Sequence, residues 1–172
     1  MIALKRLPWL LLLLAVATPA MARDKDHFAV KTGILLHEDP TYEPALNVGL
    51  AVGGKLLHGD IAALGLQLEI STSVIEGETS TALEDWEMDS HALYTVLHLG
   101  RNHYFKLKAG YIDWQVRYDR GGESEYRTGS GLSWGVGYGY PLESGNYWEL
   151  EYSMMSDEED FGINYLSLGY YF

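Results

Sequence analysis

The chain has 172 residues, no cysteine, and a formal charge of −12 from 12 basic and 24 acidic side chains. That length is one ordinary domain, and the lack of cysteine excludes both a disulfide framework and a cysteine-borne lipid anchor. Nucleic acid is excluded as a partner as well, because its binding rests on neutralising phosphates with Lys and Arg.

In chain order, Lys5 and Arg6 form a basic start, Leu7 to Ala17 an apolar run broken only by Pro8, and Ala20-Met21-Ala22 a small-residue cleavage signal. The run is too short for a membrane-spanning helix, which needs about 20 residues, and no later segment approaches one. Residues 1–22 are therefore expected to be a cleaved signal peptide and residues 23–172 the mature domain. Loss of Lys5 and Arg6 would leave ten basic against 24 acidic side chains, a charge of −14.

From there the pattern has a period of two, which is that of strands. Eight are expected, at 27–36, 45–54, 61–73, 87–99, 103–116, 129–140, 146–155 and 163–172. In the first, Phe28, Val30, Thr32, Ile34 and Leu36 alternate with Ala29, Lys31, Gly33 and Leu35, with Leu35 on the wrong face. Leu46, Val48, Leu50 and Val52 oppose Asn47, Gly49 and Ala51, and Leu64, Leu66, Leu68 and Ile70 oppose Gly65, Gln67 and Glu69. In "HALYTVLHL" both faces are apolar, and the pattern assigns no facing. Phe105, Leu107, Ala109 and Tyr111 oppose Lys106, Lys108 and Gly110, after which the apolar phase moves to Ile112, Trp114 and Val116. A β-bulge near Tyr111 is the expected cause. Leu132, Trp134, Val136, Tyr138 and Tyr140 oppose Ser133, Gly135, Gly137 and Gly139; Trp148, Leu150, Tyr152 and Met154 oppose Glu149, Glu151 and Ser153. The last strand sets Leu166, Leu168, Tyr170 and Phe172 against Tyr165, Ser167, Gly169 and Tyr171.

Short connections (53–60, 100–102, 141–145) alternate with longer polar ones (37–44, 74–86, 117–128, 156–162), as in an up-and-down antiparallel barrel. Alternation alone does not say which face is inside: a soluble lipocalin-like barrel turns its apolar face inward, and a transmembrane barrel turns it outward. Three features favour the transmembrane form. The polar face is rich in Gly and Ser, which suit a narrow lumen better than a solvated strand. Aromatics gather at both strand ends, with Phe28, Tyr104, Phe105, Tyr138, Tyr140, Tyr147, Trp148, Tyr170 and Phe172 near the short turns and Trp86, Trp114, Tyr118 and Phe161 near the long connections. That is the distribution of two interfacial girdles. The final strand also closes on an aromatic ring that can sit in such a girdle. The expected fold is thus all-β, an eight-stranded antiparallel up-and-down transmembrane β-barrel.

"LSLGYYF", with alternating apolar residues ending in Phe172, resembles the C-terminal signal of bacterial outer-membrane barrels, and the chain resembles the small OmpX/Ail-like and OmpA-transmembrane barrels. That resemblance implies an integral protein of the Gram-negative outer membrane. Its partners would be outer-membrane lipids and lipopolysaccharide, the assembly machinery acting on Leu166, Leu168, Tyr170 and Phe172, and an unidentified surface ligand. It also implies a monomer.

An eight-stranded lumen is just wide enough for side chains to fill it. Lys31, Lys106 and Lys108 face Glu69, Glu149 and Glu151 there, and buried charges require pairing, so a closed network is expected in place of a channel. The acidity sits in the long connections: Glu38, Asp39 and Glu43; Glu76, Glu78, Glu84, Asp85, Glu87 and Asp89; and Asp157, Glu158, Glu159 and Asp160. In the third, Arg117, Arg120 and Arg127 balance Asp119, Glu123 and Glu125. The acidic loops and the three arginines are the candidate recognition residues. They could serve a weak divalent cation or a cationic partner, though no ligand spacing is present and no cofactor is expected. The alternative from another class is a lipid A-modifying enzyme, PagP-like or PagL-like, using Asp89, Ser90 and His91 with His37 as base. Adjacent residues of a strand point to opposite faces, so no catalytic residue is assigned.

Overall fold

Period-two alternation over ten or more residues gives each strand two chemically distinct faces, and closing the sheet gives those faces two different surroundings. In the computed structural model the protein is described over residues 26–79, 85–120, 123–156 and 162–172. It forms β1 (Asp26–His37), β2 (Ala45–His58), β3 (Ala62–Ile75), the two-residue β4 (Gly77–Glu78), β5 (Asp85–Leu99), β6 (Tyr104–Arg120), β7 (Glu123–Pro141), β8 (Tyr147–Ser156) and β9 (Gly162–Tyr171). The eight long strands pair antiparallel in chain order, β3 directly with β5, and β9 pairs with β1 to close the barrel. Closure removes the edges that an open sheet would expose. Gly100 (φ 131°) and Gly145 (φ 88°) supply the left-handed backbone at two of the short turns. The third lies at 59–61, because β2 continues to His58.

The apolar faces point out. Leu66, Leu68, Leu107, Leu132, Leu150 and Leu168 are all exposed on the wall, Leu132 by 72%. Lys31, Gln67, Lys106, Glu149, Glu151 and Ser167 are almost completely buried inside it. On β7 the outward apolar run from Leu132 to Tyr140 covers eight steps, about 27 Å along the strand at ~3.4 Å per residue. With strand tilt, this is the scale of a ~25 Å hydrocarbon-facing band.

The phase change on β6 has a different cause from the expected bulge. The pairings with β5 and β7 run without interruption from Phe105 to Asp119; among the described residues the register shifts are on β2–β3, at Leu46/Asn47 and Lys55/Leu57. Ile112, Trp114, Val116 and Tyr118 stay on the inward phase of Lys106 and Lys108 and are buried. Outward, Phe105, Leu107, Ala109 and Tyr111 give way to Asp113, Gln115, Arg117 and Asp119. Polarity inverts on both faces at one level, where the strand leaves the apolar band and the lumen becomes apolar. The outer face of β5 does the same, with Leu93, Thr95 and Leu97 in the band and His91, Asp89 and Glu87 continuing above it, while Ala92, Tyr94 and Val96 point in.

The expected third loop is a hairpin instead. Its ladder runs from Arg117↔Tyr126 to Arg120↔Glu123, because inward Trp114, Val116 and Tyr118 give these polar-looking strands one buried face. The expected girdle near the long connections is also corrected: Trp86, Trp114 and Tyr118 are inside the barrel, packed together in its apolar core, and Phe161 lies outside the described residues. At the short-turn rim Tyr104 and Tyr147 also turn inward with their rings 5.7 Å apart, whereas Phe105, Tyr138, Tyr140, Trp148 and Phe172 remain on the outer surface.

Candidate functional site

The lower lumen, toward the short turns, is a buried ionic network built from four strands. β1 supplies Lys31, β3 Glu69, β6 Lys106 and Lys108, and β8 Glu149 and Glu151. Glu151 is its centre. It accepts from Lys31 Nζ at 2.5 Å, from Lys106 Nζ at 2.7 Å and from Lys108 Nζ at 2.8 Å. Glu69 accepts from Lys31 at 3.1 Å and Lys108 at 2.8 Å, and from the Gln67 amide at 2.6 Å. Glu149 accepts from Lys106 at 2.8 Å, the Tyr104 hydroxyl at 2.8 Å and the Tyr171 hydroxyl at 2.7 Å. Each carboxylate thus has at least three donors, the condition under which a buried charge is held without large loss. Lys108 Nζ also lies 3.9 Å from the centre of the Tyr94 ring, a cation–π contact.

Glycine makes room for these long side chains. In register, Gly137 stands between Lys106 and Glu151 across β6–β7–β8. A Cβ at Gly135 would come within 2.9 Å of both Lys108 Cε and Ser153 Oγ, and one at Gly139 would overlap the Tyr104 ring. Below the ions, His27, His98, Tyr104, Tyr147 and Tyr171 form a ring-on-ring layer across the short-turn end.

The upper lumen has the opposite chemistry. Leu35, Trp86, Met88, Val116, Met155 and Ile163 are buried together there, so Leu35 is on the correct face after all. The first connection folds over this core: Tyr42 stacks on His37 at 4.2 Å, and the Trp86 indole N–H donates to the Glu43 carbonyl at 2.9 Å. An isolated bridge between Tyr42 and Thr79 and the Glu43 N–H to Glu78 carbonyl bond (2.7 Å) tie the first connection to the second.

The outer crown, the part of the strands beyond the apolar band, carries its own ion cluster. Arg117 donates to Glu76 (3.0 Å) and contacts Glu87 (3.2 Å) and Asp119 (3.1 Å), whereas Arg127 meets Glu125 at 3.4 Å and lies beside the Tyr118 ring. Asp39 accepts the Thr41 N–H at 2.9 Å and the Thr41 hydroxyl at 2.8 Å, bonds that hold its carboxyl below the usual value; burial lowers the pKa of His37. The candidate loop residues Asp157, Glu158, Glu159 and Asp160 lie outside the described residues, as does the side chain of Arg120.

The structure separates the candidate catalytic group. Ser90 turns into the lumen and pairs with Ser71 at 2.8 Å; Asp89 and His91 face outward, Asp89 accepting from Thr72 at 2.5 Å and His91 Nε2 lying 3.3 Å from Asp113 Oδ2. His37 is inside the crown against Tyr42. On β9, Leu166, Leu168 and Phe172 are exposed on the wall. Tyr170 packs beside Trp148 at 4.9 Å and accepts from the Asn146 amide at 2.6 Å. Sequence reasoning missed Tyr94, Tyr104 and Tyr171 as members of the lumen network. Tyr171 and Tyr104 share the phase of the buried charges and could have been found; Tyr94 lies in the stretch whose two faces are equally apolar.

The chain belongs to the outer-membrane protein β-barrel domain family, which matches it over residues 9–172. It is accordingly an integral, transmembrane outer-membrane barrel. No curated protein matches it. Among solved structures it is similar to Ail of Yersinia pestis in complex with the heparin analogue sucrose octasulfate, at TM-score 0.58 and 13% identity over 86% of this chain and 97% of that one. It is similar to the N-terminal β-barrel domain of Pseudomonas aeruginosa OprF, at TM-score 0.58 and 12% identity over 85% and 97%. The outer-membrane enzyme PagL is also similar, at TM-score 0.55 and 13% identity over 83% and 97%. At such identities the likeness is one of fold.

Proposed function

We propose that this protein is a non-enzymatic, monomeric barrel of a Gram-negative envelope, closed to ions, which contributes to envelope integrity or to surface contact through its acidic crown. The observation that carries this reading is the filling of the lumen. Glu151 with its three lysines occupies the lower half, the Trp86–Met88–Ile163 core the upper half, and the first connection covers the mouth. Among the described residues the candidate catalytic side chains Ser90, His91 and His37 point to separate places, which supports the non-enzymatic reading.

The crown argues against borrowing a polyanion ligand from Ail. Glu38, Asp39, Glu43, Glu76, Glu87 and Asp89 surround only Arg117 and Arg127 among the described cations there, so a cationic surface or a weakly held divalent ion is the better match. Residues 1–22 act as a cleaved export signal, Leu166, Leu168, Tyr170 and Phe172 present the assembly signal, and lipopolysaccharide surrounds the wall.

A deletion strain tested for detergent and antibiotic permeability, beside binding to cationic and host-matrix surfaces, decides between the two roles. A permeability defect alone supports the structural one, and a binding defect alone the adhesive one. Stable porin-sized conductance in planar bilayers would defeat the closed lumen, altered lipid A on overexpression the non-enzymatic reading, and absence of heat with millimolar Ca²⁺ the cation.

A further inference from the structure

Above the apolar band the wall is uneven in height. β6 and β7 stay paired up to Arg120↔Glu123, whereas the β7–β8 ladder ends at Ser133↔Met155 and the β8–β9 ladder at Ser156↔Gly162. Among the described residues, β7 from Glu123 to Leu132 is therefore paired along one edge and open along the other. Glu123 to Thr128 are all exposed. Tyr126 stands six residues beyond Leu132, about 20 Å along the strand at ~3.4 Å per residue, clear of the hydrocarbon. An open edge presents a row of unpaired N–H and C=O groups, and proteins usually blunt one with proline, lysine or a bulge. Glu123–Leu132 contains neither proline nor lysine, and its ladder to β6 is uninterrupted.

The residues of this edge fit a second copy of themselves. A symmetric antiparallel pair has its two-fold axis perpendicular to the sheet, so each residue meets one from the same face. Centred on Tyr126, such a pair sets Glu125 opposite Arg127 of the second copy, Tyr126 opposite Tyr126, and Ser124 opposite Thr128. Opposite charges, aromatic pairs and Ser–Thr pairs are all favourable across strands, and like charges are not. The neighbouring two-fold registers, centred on Glu125 or on Arg127, oppose two glutamates or two arginines. Glu125 and Arg127 lie 3.4 Å apart and are both more than 60% exposed, so each can exchange its neighbour for the facing residue of a second copy.

We propose that the open β7 edge is a homophilic contact, in which Glu123–Gly129 pairs with the same segment of a second copy standing in an opposed membrane. The two-fold is perpendicular to the barrel wall, hence in the membrane plane, and it inverts the barrel axis. Copies side by side in one membrane are related by an axis along the membrane normal, which leaves tilted strands unable to run antiparallel. Each barrel stays monomeric in its own membrane. Main-chain hydrogen bonds supply the affinity, and the Glu125–Arg127 pairs fix the register. The acidic connections repel across the gap with a range of about 8 Å at physiological salt, so contact is confined to the projecting hairpin. The inference names a partner for the surface-contact reading and rests on it and on the membrane orientation.

The test folds the chain into preformed phosphatidylcholine vesicles at about 0.15 M NaCl and follows vesicle clustering by light scattering. Vesicles carrying the unaltered chain should cluster. Those carrying E125R or R127E, checked for folding by heat-modifiable gel mobility, should cluster roughly tenfold less, because two favourable cross-strand pairs become repulsive. A mixture of E125R vesicles with R127E vesicles should regain clustering, since the two arginines of one variant then face the two glutamates of the other. Unaltered vesicles that stay dispersed overturn the proposal. So do single variants that cluster like the unaltered chain, or a mixture that clusters no better than either variant alone. Cross-linked dimers within single, dispersed vesicles would mark side-by-side pairing and overturn the opposed-membrane assignment. Failure of the chain to insert, or an Arg127 that external trypsin does not reach, would instead strike the membrane orientation, and the inference with it.

Discussion

The two halves of the lumen are filled by the same strands and stabilised by different physics. Toward the short turns, β6 contributes Lys106 and Lys108; toward the crown it contributes Ile112, Trp114 and Val116. The lower half depends on directional bonds to named partners, since each buried carboxylate is tolerable only while its donors are in place. The upper half depends on volume and contact, which neighbouring side chains can partly restore after a change. The lower tier should therefore fail abruptly and the upper tier gradually.

The sharpest way to break this contrast is Glu151→Ala, which leaves Lys31, Lys106 and Lys108 short of a shared acceptor. A loss of about 3–5 kcal/mol is expected, as for breaking other buried ion pairs. Urea unfolding in lipid vesicles measures it, and a change below about 1 kcal/mol would mean that water replaces the carboxylate and the lower lumen is wet. Met88→Ala in the upper tier should cost about 2–3 kcal/mol, within the range for truncating a buried methionine. Combined with Glu151→Ala, it should be additive to within about 0.5 kcal/mol, because the two residues share no partner. Lys106→Ala, in contrast, should couple strongly to Glu151→Ala, since the second change removes the charge that the first one orphaned. Arg117→Ala tests the wet counterpart of the lower network: here too one cation meets several carboxylates, but the site adjoins solvent, so about 1 kcal/mol is expected, diminishing with added salt.

Much of the lower barrel was legible from the residues. Where one face is charged or small and the other aliphatic, as in Phe105–Gly110 or Trp148–Met154, period two assigns each side chain to lumen or lipid. The reading failed where that contrast reversed. Ile112, Trp114 and Val116 looked like an apolar face moving outward, because a transmembrane lumen was expected to be polar throughout. Above the band, however, the lumen is an ordinary protein core, water bathes the outside, and the usual soluble pattern returns. The same reversal hid the Arg117–Arg127 hairpin among loops and placed Trp86 and Tyr118 in a girdle they do not join. The outward row of His91, Asp113 and Ser130 was illegible for another reason: these residues are adjacent only across strands, through the pairing register of β5, β6 and β7.

The smallest expected effect sharpens the contrast between sealed and exposed charge. Asp39 is fully exposed, yet its bonds from Thr41 depress its pKa in the folded state. A depressed carboxyl stabilises the turn above its unfolded pKa, about 3.9, and that contribution disappears as pH falls through the lower, folded value. On titration from pH 6 to 2.5, the Thr41 amide resonance should therefore move only in the acid limb, below about pH 4, and Asp39→Ala should abolish the movement. The barrel's own unfolding midpoint should stay unchanged by that substitution, because the bond joining Asp39 to inward His37 comes from its backbone N–H (2.9 Å to Nδ1), which alanine keeps. A Thr41 resonance that ignores pH would show the turn to be held by the backbone bond from the Tyr42 N–H to the Asp39 carbonyl (3.2 Å), with the carboxylate contributing nothing.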